Sequence, residues 1–273
     1  LTWYLGNHKI FGGLTYEYQM DDNQYMRNGT GYYRYRSVND FLNGNTPEVV
    51  CLTYGYGGEK SPAARVRYNK VGLYLQDEWT VNDRFNLNYG IRLESLMFNN
   101  KDLMTNNAIL ALDYNGRHID TGKWPSTQII AQPRVGFNWD VLGNKTLKVR
   151  GGSGIFAGRL PMVFFTNMPT NGGMVQYQAQ IGPSIKDTNL PQSVQDMGYT
   201  SVNSILQQFN AANNNGYGLA VDANGKATIE ALQQKLIGMG YPSDITPEKG
   251  AAPSSISAVD PKFKMPMIWK NSL

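Results

Sequence analysis

Three glycines in this sequence have a spacing that could form a phosphate-binding loop. Gly151, Gly152 and Gly154 lie close together, but no Gly-Lys-Ser/Thr follows them and no helical pattern begins there. Glycines inside a strand more often mark a bend or the close approach of a neighbouring group. We therefore expect these three glycines to allow a bend or close packing of the backbone and to bind no phosphate.

The neighbouring acidic residues also lack the arrangement of a chemical site. Asp21 and Asp22, followed by Asn23, could offer ligands to calcium, but no EF-hand spacing follows, and a solvated loop tip is the simpler interpretation. Asp77 and Glu78 are adjacent, so a strand would point them to opposite faces and they cannot act as an acid/base pair. Because no nucleophile, base and orienting group can be assembled, we predict no catalytic residues and no enzyme activity.

Few side chains are available for metal or redox chemistry. Cys51 is the single cysteine, so an intrachain disulfide or a CxxC site cannot form. His8 and His118 are the two imidazoles of the chain, which leaves little for a histidine metal site. The sequence predicts neither a metal nor a cofactor.

Alternating apolar and polar residues from Val71 to Glu94 predict the element around which the chain is organised. The alternation breaks at Asn82, Asp83 and Arg84 and then resumes, which indicates a β-hairpin with a tight polar turn. Each arm has about 11 residues, the length of a tilted strand that crosses a bilayer and about double that of a common soluble strand. The pattern therefore favours a transmembrane hairpin.

The alternation assigns side chains to two faces. The residues predicted to face lipid are Leu73, Leu75, Leu87, Ile91, Val135 and Val149. Those predicted to line the lumen are Gln76, Glu78, Arg92, Lys148 and Arg150. Aromatic residues near the short turns match the interfacial girdle of a barrel: Trp3, Trp79, Phe85, Tyr89, Phe137 and Trp139.

Asp77 is an exception to this pattern. It shares the parity of Leu75 and Trp79, so a regular strand would turn its carboxylate toward lipid, where a charge is costly near the midplane. Either a β-bulge re-aims the side chain, or the residue lies near enough to the periplasmic rim to stay hydrated. We favour the rim.

Short turns and long connections alternate along the chain. Hairpins at 1–20, 71–94 and 134–155 have short turns, and the long connections fall at about 21–64, 98–131 and 159–261. Short turns at one end and long loops at the other are the polarity of an outer-membrane barrel. We therefore predict three regions. They are barrel strands with long external loops at 1–158, a long external loop region with short helices at 159–261, and the start of a further strand at 262–273.

Within the long connections, a few segments carry further predictions. Apolar residues at helical spacing predict helices at 201–209, capped by Ser201, and at 229–237, with their stripes packed on each other. Four loop aromatics could stack on a sugar or a peptide: Tyr32, Tyr33, Tyr35 and Trp124. Packing within the loops is the simpler role for them.

Composition excludes several classes of protein. The 273 residues are 12% aromatic and include 29 glycines, with a mean hydropathy of −0.42. No apolar run approaches the ~18 residues of a transmembrane helix, so a membrane protein with this sequence must be β. The net charge is +4, but the 25 Lys and Arg are dispersed, so we predict no nucleic-acid partner.

Three ordered motifs carry a resemblance to a known family. They are GLYLQDEWTVNDRFNLNYGIRLE at Gly72–Glu94, QPRVGFNWDVLGNKTLKVRGGSGIFAGRLP at Gln132–Pro161 and DPKFKMPMIWK at Asp260–Lys270. Together they resemble the barrel of TonB-dependent outer-membrane receptors, and the nearest subgroup looks like the Oar-like receptors of Bacteroidetes. The resemblance implies an interior fragment of a barrel of roughly 22 strands with a plugged lumen.

The resemblance also implies a function and partners. It implies energy-coupled uptake of an unknown ligand across the bacterial outer membrane, in contact with outer-membrane lipid. The TonB complex would act through a plug that is not present in this sequence, and a surface lipoprotein is a potential further partner.

The fold class that we predict is all-β. It is an antiparallel transmembrane β-barrel segment, contributing about six to seven strands to a larger barrel, with long external loops. Three alternatives remain open from the residues alone. One is a soluble secreted all-β carbohydrate-binding module, and another is a passive porin or adhesin barrel. The third is a barrel enzyme such as a lipase or protease, for which the motifs supply no nucleophile and base.

Overall fold

A computed structural model describes residues 1–214, 216–250 and 256–273, so residues 215 and 251–255 of the predicted loop region lie outside it. Within these ranges the strands are β1 Thr2–Leu5, β2 His8–Asn23, β3 Tyr32–Arg34, β4 Val49–Gly55, β5 Ala64–Asn82, β6 Phe85–Asn99, β7 Gln128–Asp140, β8 Lys148–Ala157, β9 Gln176–Ile181 and β10 Met267–Ser272. The helices are α1 Val38–Leu42, α2 Asn107–Leu110, α3 Met162–Asn171, α4 Gln192–Asp196, α5 Val202–Leu206 and α6 Ile229–Gly238.

Seven strands form one antiparallel sheet, which we call the wall sheet. Its order is β1-β2-β5-β6-β7-β8-β10, so each strand pairs with the wall strand before it in the chain. The turns β1–β2, β5–β6 and β7–β8 are short and lie at one end, and the long connections lie at the other. Within the described residues β1 and β10 remain the two edges, so the wall sheet is open.

The wall strands are longer than a bilayer crossing requires. β5 has 19 residues. At about 3.3 Å per residue and a tilt of about 40°, it rises about 45 Å, against an apolar band of about 25 Å in transmembrane barrels. In the transmembrane arrangement that the sequence predicts, the external ends of β5 and its neighbours would therefore extend beyond the lipid.

A second, three-stranded sheet lies in the external part and joins two distant connections. Its order is β3-β4-β9, so strands from the first long connection pair with a strand from the last. Region 159–261, predicted as a loop region with short helices, therefore also contributes the strand β9. Gln176 and Ile181, at the two ends of β9, point to opposite faces of the strand, and both are buried. Neither face of β9 is therefore fully open to water.

Helices complete this part, which we call the external module: residues 32–55, 176–214 and 216–241. Ser201 caps α5 and a 3-10 turn continues to Phe209, while Thr228 caps α6. The helices predicted at 201–209 and 229–237 are thus confirmed. Their apolar stripes share one core with β4 and β9, so the three-stranded sheet takes part in packing that was predicted between the helices alone. The core side chains from the two helical segments are Val202, Ile205, Leu206, Phe209, Leu232 and Leu236.

Candidate functional site

One face of the wall sheet is apolar and open. Leu75 pairs with Ile91 and Leu73 with Leu93 across β5 and β6. Leu14 on β2 is 67% exposed and Leu75 is 54% exposed. Large aliphatic side chains open side by side on a sheet suit contact with lipid. All residues predicted to face lipid lie on this face: Leu73, Leu75, Leu87, Ile91, Val135 and Val149.

Aromatic side chains border this apolar face. The six predicted interface aromatics all lie on it, toward the short turns: Trp3, Trp79, Phe85, Tyr89, Phe137 and Trp139. Tyr16 and Tyr18, which were not predicted, are exposed on the same face toward the external end. Since Tyr16 pairs with Val71, about 20 Å along the membrane normal separates it from Trp79. The spacing suits two girdles at the two interfaces.

Asp77 stays on the apolar face, within a regular strand. It pairs with Ile10 and Tyr89, and the one register shift of β5 with β6 falls nearer the turn, between Thr80 and Asn82, so a bulge at Asp77 is wrong. Asp77 lies two residues from Trp79 on β5, on the same face, and so within the girdle on the short-turn side. Its local partners, rather than a change of face, accommodate the carboxylate.

Those partners come from both neighbouring strands. Oδ2 of Asp77 lies 2.6 Å from Nδ1 of His8 and accepts a 2.8 Å hydrogen bond from the Tyr89 hydroxyl. The His8 ring stacks on Trp79 at 5.2 Å between centroids. Asp77 is 7% exposed as a result. We name His8, Asp77 and Tyr89 the girdle triad.

The opposite face of the wall sheet is polar and carries ion pairs between strands. Nζ of Lys9 lies 2.9 Å from Oε2 of Glu78, and Nζ of Lys70 lies 2.7 Å from Oε2 of Glu17. All residues predicted to line the lumen lie here: Gln76, Glu78, Arg92, Lys148 and Arg150. A face of this kind requires water, so it is the lumenal face.

A connected polar network crosses the middle of the lumenal face. Arg92 donates to Thr15 at 2.9 Å and pairs with Glu94 at 2.8 Å. Glu94 also accepts from Gln132 at 2.8 Å, so side chains of β2, β6 and β7 are joined. The guanidinium of Arg134 lies 4.5 Å from the ring centroid of Phe156 on β8. These contacts hold donors and acceptors in place along the lumen.

At the external end the lumenal face becomes apolar and α3 covers it. The lumenal positions there include Val66, Tyr68, Leu96 and Ile130. Phe165 of α3 packs among them, in a second core distinct from that of the external module. This cover was not predicted, although apolar residues at the lumenal positions of the strand ends were a signal for it.

Specific contacts fix α3 in this position. The rings of Phe165 and Phe98 stack at 5.0 Å between centroids, and Trp124 lies 5.7 Å from Phe165. Asn23 donates from its amide to the Thr166 hydroxyl at 3.0 Å. The helix therefore connects the mouth of the wall sheet to the chain that leads into the external module.

The four loop aromatics occupy different environments. Trp124 is 4% exposed in the core beneath α3, so no face of its ring is open to a ligand. The Tyr33 hydroxyl accepts from the amide of Ala220, and burial raises the pKa of Tyr33 to about 12. Tyr32 is exposed on β3, and Tyr35 is half-buried. Contact with a ligand stays a prediction for Tyr32, Tyr33 and Tyr35.

The glycines first considered for phosphate binding serve close packing. A Cβ on Gly151 would lie 2.8 Å from the Phe137 ring, and one on Gly152 would lie 3.0 Å from the Val135 carbonyl oxygen. Asp22, considered for calcium, instead accepts a 2.9 Å bond from Arg65. In the part of the chain that the structure describes, no group of three or more His, Cys, Asp or Glu could hold a metal ion.

No helix among the described residues is long and apolar enough to cross a membrane.

An antiparallel sheet with one lipid-facing side, one wet side, short turns at one end and long loops at the other defines the wall of an outer-membrane β-barrel. The chain belongs to the outer membrane beta barrel domain family, whose model matches residues 1–273. Comparisons with curated proteins and with solved structures found no match. The family match locates the protein in the bacterial outer membrane, so the predicted localisation is confirmed.

Proposed function

We propose that this chain forms part of the barrel of a TonB-dependent receptor that takes up its ligand by energy-coupled transport. The observation that carries the proposal is the cover of α3 over the external end of the lumenal face. A pore for passive diffusion needs a continuous water path, and α3 obstructs that path on this side of the barrel. Transport past such a cover requires work, which TonB would supply through a plug outside this sequence.

The three motifs that resemble TonB-dependent receptors lie in the elements that build this arrangement. Gly72–Glu94 forms most of the β5–β6 hairpin, Gln132–Pro161 forms most of β7 and all of β8, and Asp260–Lys270 leads into β10. The external module, supported by α3, would hold the ligand-binding surface. A surface lipoprotein that delivers or encloses the ligand remains part of the proposal.

A passive porin or adhesin barrel is the second candidate. One observation favours an adhesin: the external module has its own buried core and displays a large surface. An adhesin would not need TonB, so contact with TonB separates the two functions. We propose no enzyme activity for either.

The test uses the intact parent protein, extracted with detergent from cell envelopes. It is passed over the immobilised periplasmic domain of TonB from the same organism, and its fold is checked by the heat-dependent shift of a barrel on a detergent gel. We expect retention of the folded protein. A variant without its TonB box serves as the control, since it should show the same shift but pass through. A folded parent that is not retained would overturn the transport proposal and favour the adhesin or porin.

A further inference from the structure

His8 of the girdle triad has one ring nitrogen that the triad does not use. Its Nδ1 lies 2.6 Å from Oδ2 of Asp77, whereas its Nε2 forms no hydrogen bond with any described residue. The His8 side chain is 36% exposed, on the lipid-facing side of the wall sheet. Nε2 is therefore open to a group that does not belong to the wall.

The position of Asp77 gives this free nitrogen its direction. His8 pairs with Trp79 and Asp77 pairs with Ile10, so Asp77 lies two residues farther from the short turns than His8 does. The two nitrogens of an imidazole point away from each other. With Nδ1 directed at Asp77, Nε2 faces the short-turn end, where an outer-membrane barrel meets the periplasmic leaflet of the membrane.

Two contacts hold the imidazole in this orientation. The Trp79 ring stacks on it with 14° between the ring planes. Asp77 is 7% exposed and is itself fixed by the hydroxyl of Tyr89 at 2.8 Å. A side chain that is already fixed loses little conformational entropy when it binds a further group. The carboxylate on the lipid-facing side thus has a role beyond its own burial, because it orients His8.

Trp79 places a second free donor beside His8. Its indole N–H forms no hydrogen bond with the residues that the structure describes. The centroids of the two rings are 5.2 Å apart, so both donors belong to one small site. The amphipathic indole ring suits the headgroup level of a bilayer, where its apolar body and its N–H meet different surroundings.

This site offers donors and no free carboxylate oxygen. Oδ2 of Asp77 is occupied by His8 and Tyr89, and Oδ1 is enclosed by protein. When Nδ1 donates to Asp77, a hydrogen on Nε2 makes the ring an imidazolium, which carries a positive charge. A cationic N–H beside an indole N–H suits an anion with oxygen acceptors, and it repels an ammonium group.

Aliphatic side chains adjoin the site and continue toward the membrane centre. Leu5, which pairs with His8, is 62% exposed, and Leu75 and Leu14 are 54% and 67% exposed. A ligand that fits both parts is anionic at the short-turn end and apolar above it. A phospholipid has this chemistry, with its phosphate at the headgroup level and its acyl chains in the apolar core.

We propose that His8 and Trp79 bind the phosphate of a phospholipid in the periplasmic leaflet, with His8 held as an imidazolium by Asp77. The acyl chains lie along the exposed aliphatic side chains of β2 and β5. The inference goes beyond the proposed function, since it requires the outer-membrane location but neither TonB nor transport. A phospholipid bound here would fix the depth of the short-turn end in the bilayer.

The test measures lipid binding by the intact parent protein, extracted in mild detergent and freed of native lipid. The probes are dioleoylphosphatidylglycerol, dioleoylphosphatidylethanolamine and dioleoylglycerol, which has the same chains but no phosphate. Native mass spectrometry gives the affinity for the first lipid bound. We expect both phospholipids to bind and dioleoylglycerol to be lost with the detergent.

Two variants locate the binding site. His8→Gln should weaken binding of phosphatidylglycerol about tenfold, the loss of one hydrogen bond to a charged group. Trp79→Phe keeps the ring, removes its N–H and should weaken binding about threefold, the loss of a weaker hydrogen bond. His118→Gln, the same substitution at an exposed residue of a long connection, is the matched control and should bind as the unchanged protein does.

All variants are first checked for the heat-dependent gel shift, so that a misfolded protein is not scored, and Trp79→Phe decides if His8→Gln does not fold. Phosphatidylglycerol bound equally by the unchanged protein and the folded variant would overturn the inference. Equal retention of dioleoylglycerol would also overturn it, since the phosphate would then contribute nothing. Binding of phosphatidylethanolamine without phosphatidylglycerol would do the same, because it would make the amine the group that is recognised.

Discussion

The imidazole Nδ1 of His8 lies 2.6 Å from the carboxylate Oδ2 of Asp77, on the lipid-facing side of two adjacent wall strands. Because an ionised carboxylate only accepts hydrogen bonds, His8 must be the donor. The Tyr89 hydroxyl donates to the same oxygen from the other side. The girdle triad thus joins β2, β5 and β6 by side chains at a level where water is scarce.

The first prediction concerns this triad. His8→Leu should destabilise the barrel, since it leaves the carboxylate of Asp77 with Tyr89 as its one partner in the triad. The double variant His8→Leu/Asp77→Leu should be more stable than His8→Leu alone, because no orphaned carboxylate remains. The measurement is urea unfolding of the parent refolded in bilayers. A double variant less stable than His8→Leu would contradict the interpretation.

The second prediction tests the two faces of the wall sheet with adjacent residues. Leu75→Arg places a cation against lipid and should cost about 2–4 kcal/mol if it lies near the midplane, falling toward the interfaces. Gln76→Arg, its matched control, points to the wet lumenal face and should cost less than about 1 kcal/mol. Stability in bilayers and yield of assembled barrel are measured for both. Equal costs would argue against the assignment of the faces.

The third prediction concerns the cover formed by α3. Phe165 is buried against the wall sheet, so Phe165→Ala should destabilise the local packing by about 3–5 kcal/mol. Val163 lies exposed on the same helix, and Val163→Ala should stay within about 0.5 kcal/mol of the parent. Hydrogen exchange of the α3 amides reports the difference and should become faster in Phe165→Ala alone. Unchanged exchange in that variant would show that the helix is held by other contacts.

The fourth prediction tests whether the first and last long connections fold as one unit. Leu236 of α6 is buried in the same core as Leu52 of β4, so Leu236→Ala should cost the module about 2–5 kcal/mol. The effect should appear in the other connection, as faster hydrogen exchange of the β4 amides. Ile229→Ala, at an exposed position of α6, is the control. Protection of β4 that is the same in all three proteins would mean that the connections fold separately.

The fifth prediction concerns alkaline pH. Burial raises the pKa of Tyr33 to about 12 from 10.0, and burial also raises the pKa of Tyr54 and Tyr241 in the same core. Unfolded tyrosine loses its proton at lower pH than these residues do. Their contribution to stability is therefore complete below about pH 10 and is lost as the pH rises toward 12 and beyond. In an alkaline titration of the folded protein, the absorbance of tyrosinate should show a group of tyrosines that ionises well above pH 10. The same group should ionise near pH 10 once the module is unfolded in urea. Ionisation of all tyrosines near pH 10 in the folded protein would contradict the burial.

Much of the wall sheet could be predicted from local pattern. Alternation along Val71–Glu94 places Leu75 and Gln76 on opposite faces, and the structure has them there because successive side chains of a strand must alternate. The short turns and the two capped helices have similarly local causes. Strand ends were less accurate: β5 begins at Ala64, and at its external end the alternation is inverted, with Ala64, Val66 and Tyr68 buried on the lumenal side.

The external features could not be predicted in this way. β9 pairs with β4 across more than a hundred residues, and the backbone of Gly44 meets that of Ala211 from the other connection. Trp124 was expected to pack within its loop, but the partner that buries it is α3, which folds back from a later part of the chain.

The sequence by itself therefore determined a β-barrel wall with its lipid and lumenal faces, since these follow from a period of two along each strand. Only the tertiary structure decided that Asp77 is held by His8 and Tyr89, that α3 covers the external end of the lumenal face, and that two connections form one module. These are contacts between residues far apart in the chain, and the free energy that selects them comes from burial shared among several segments, which no single segment encodes.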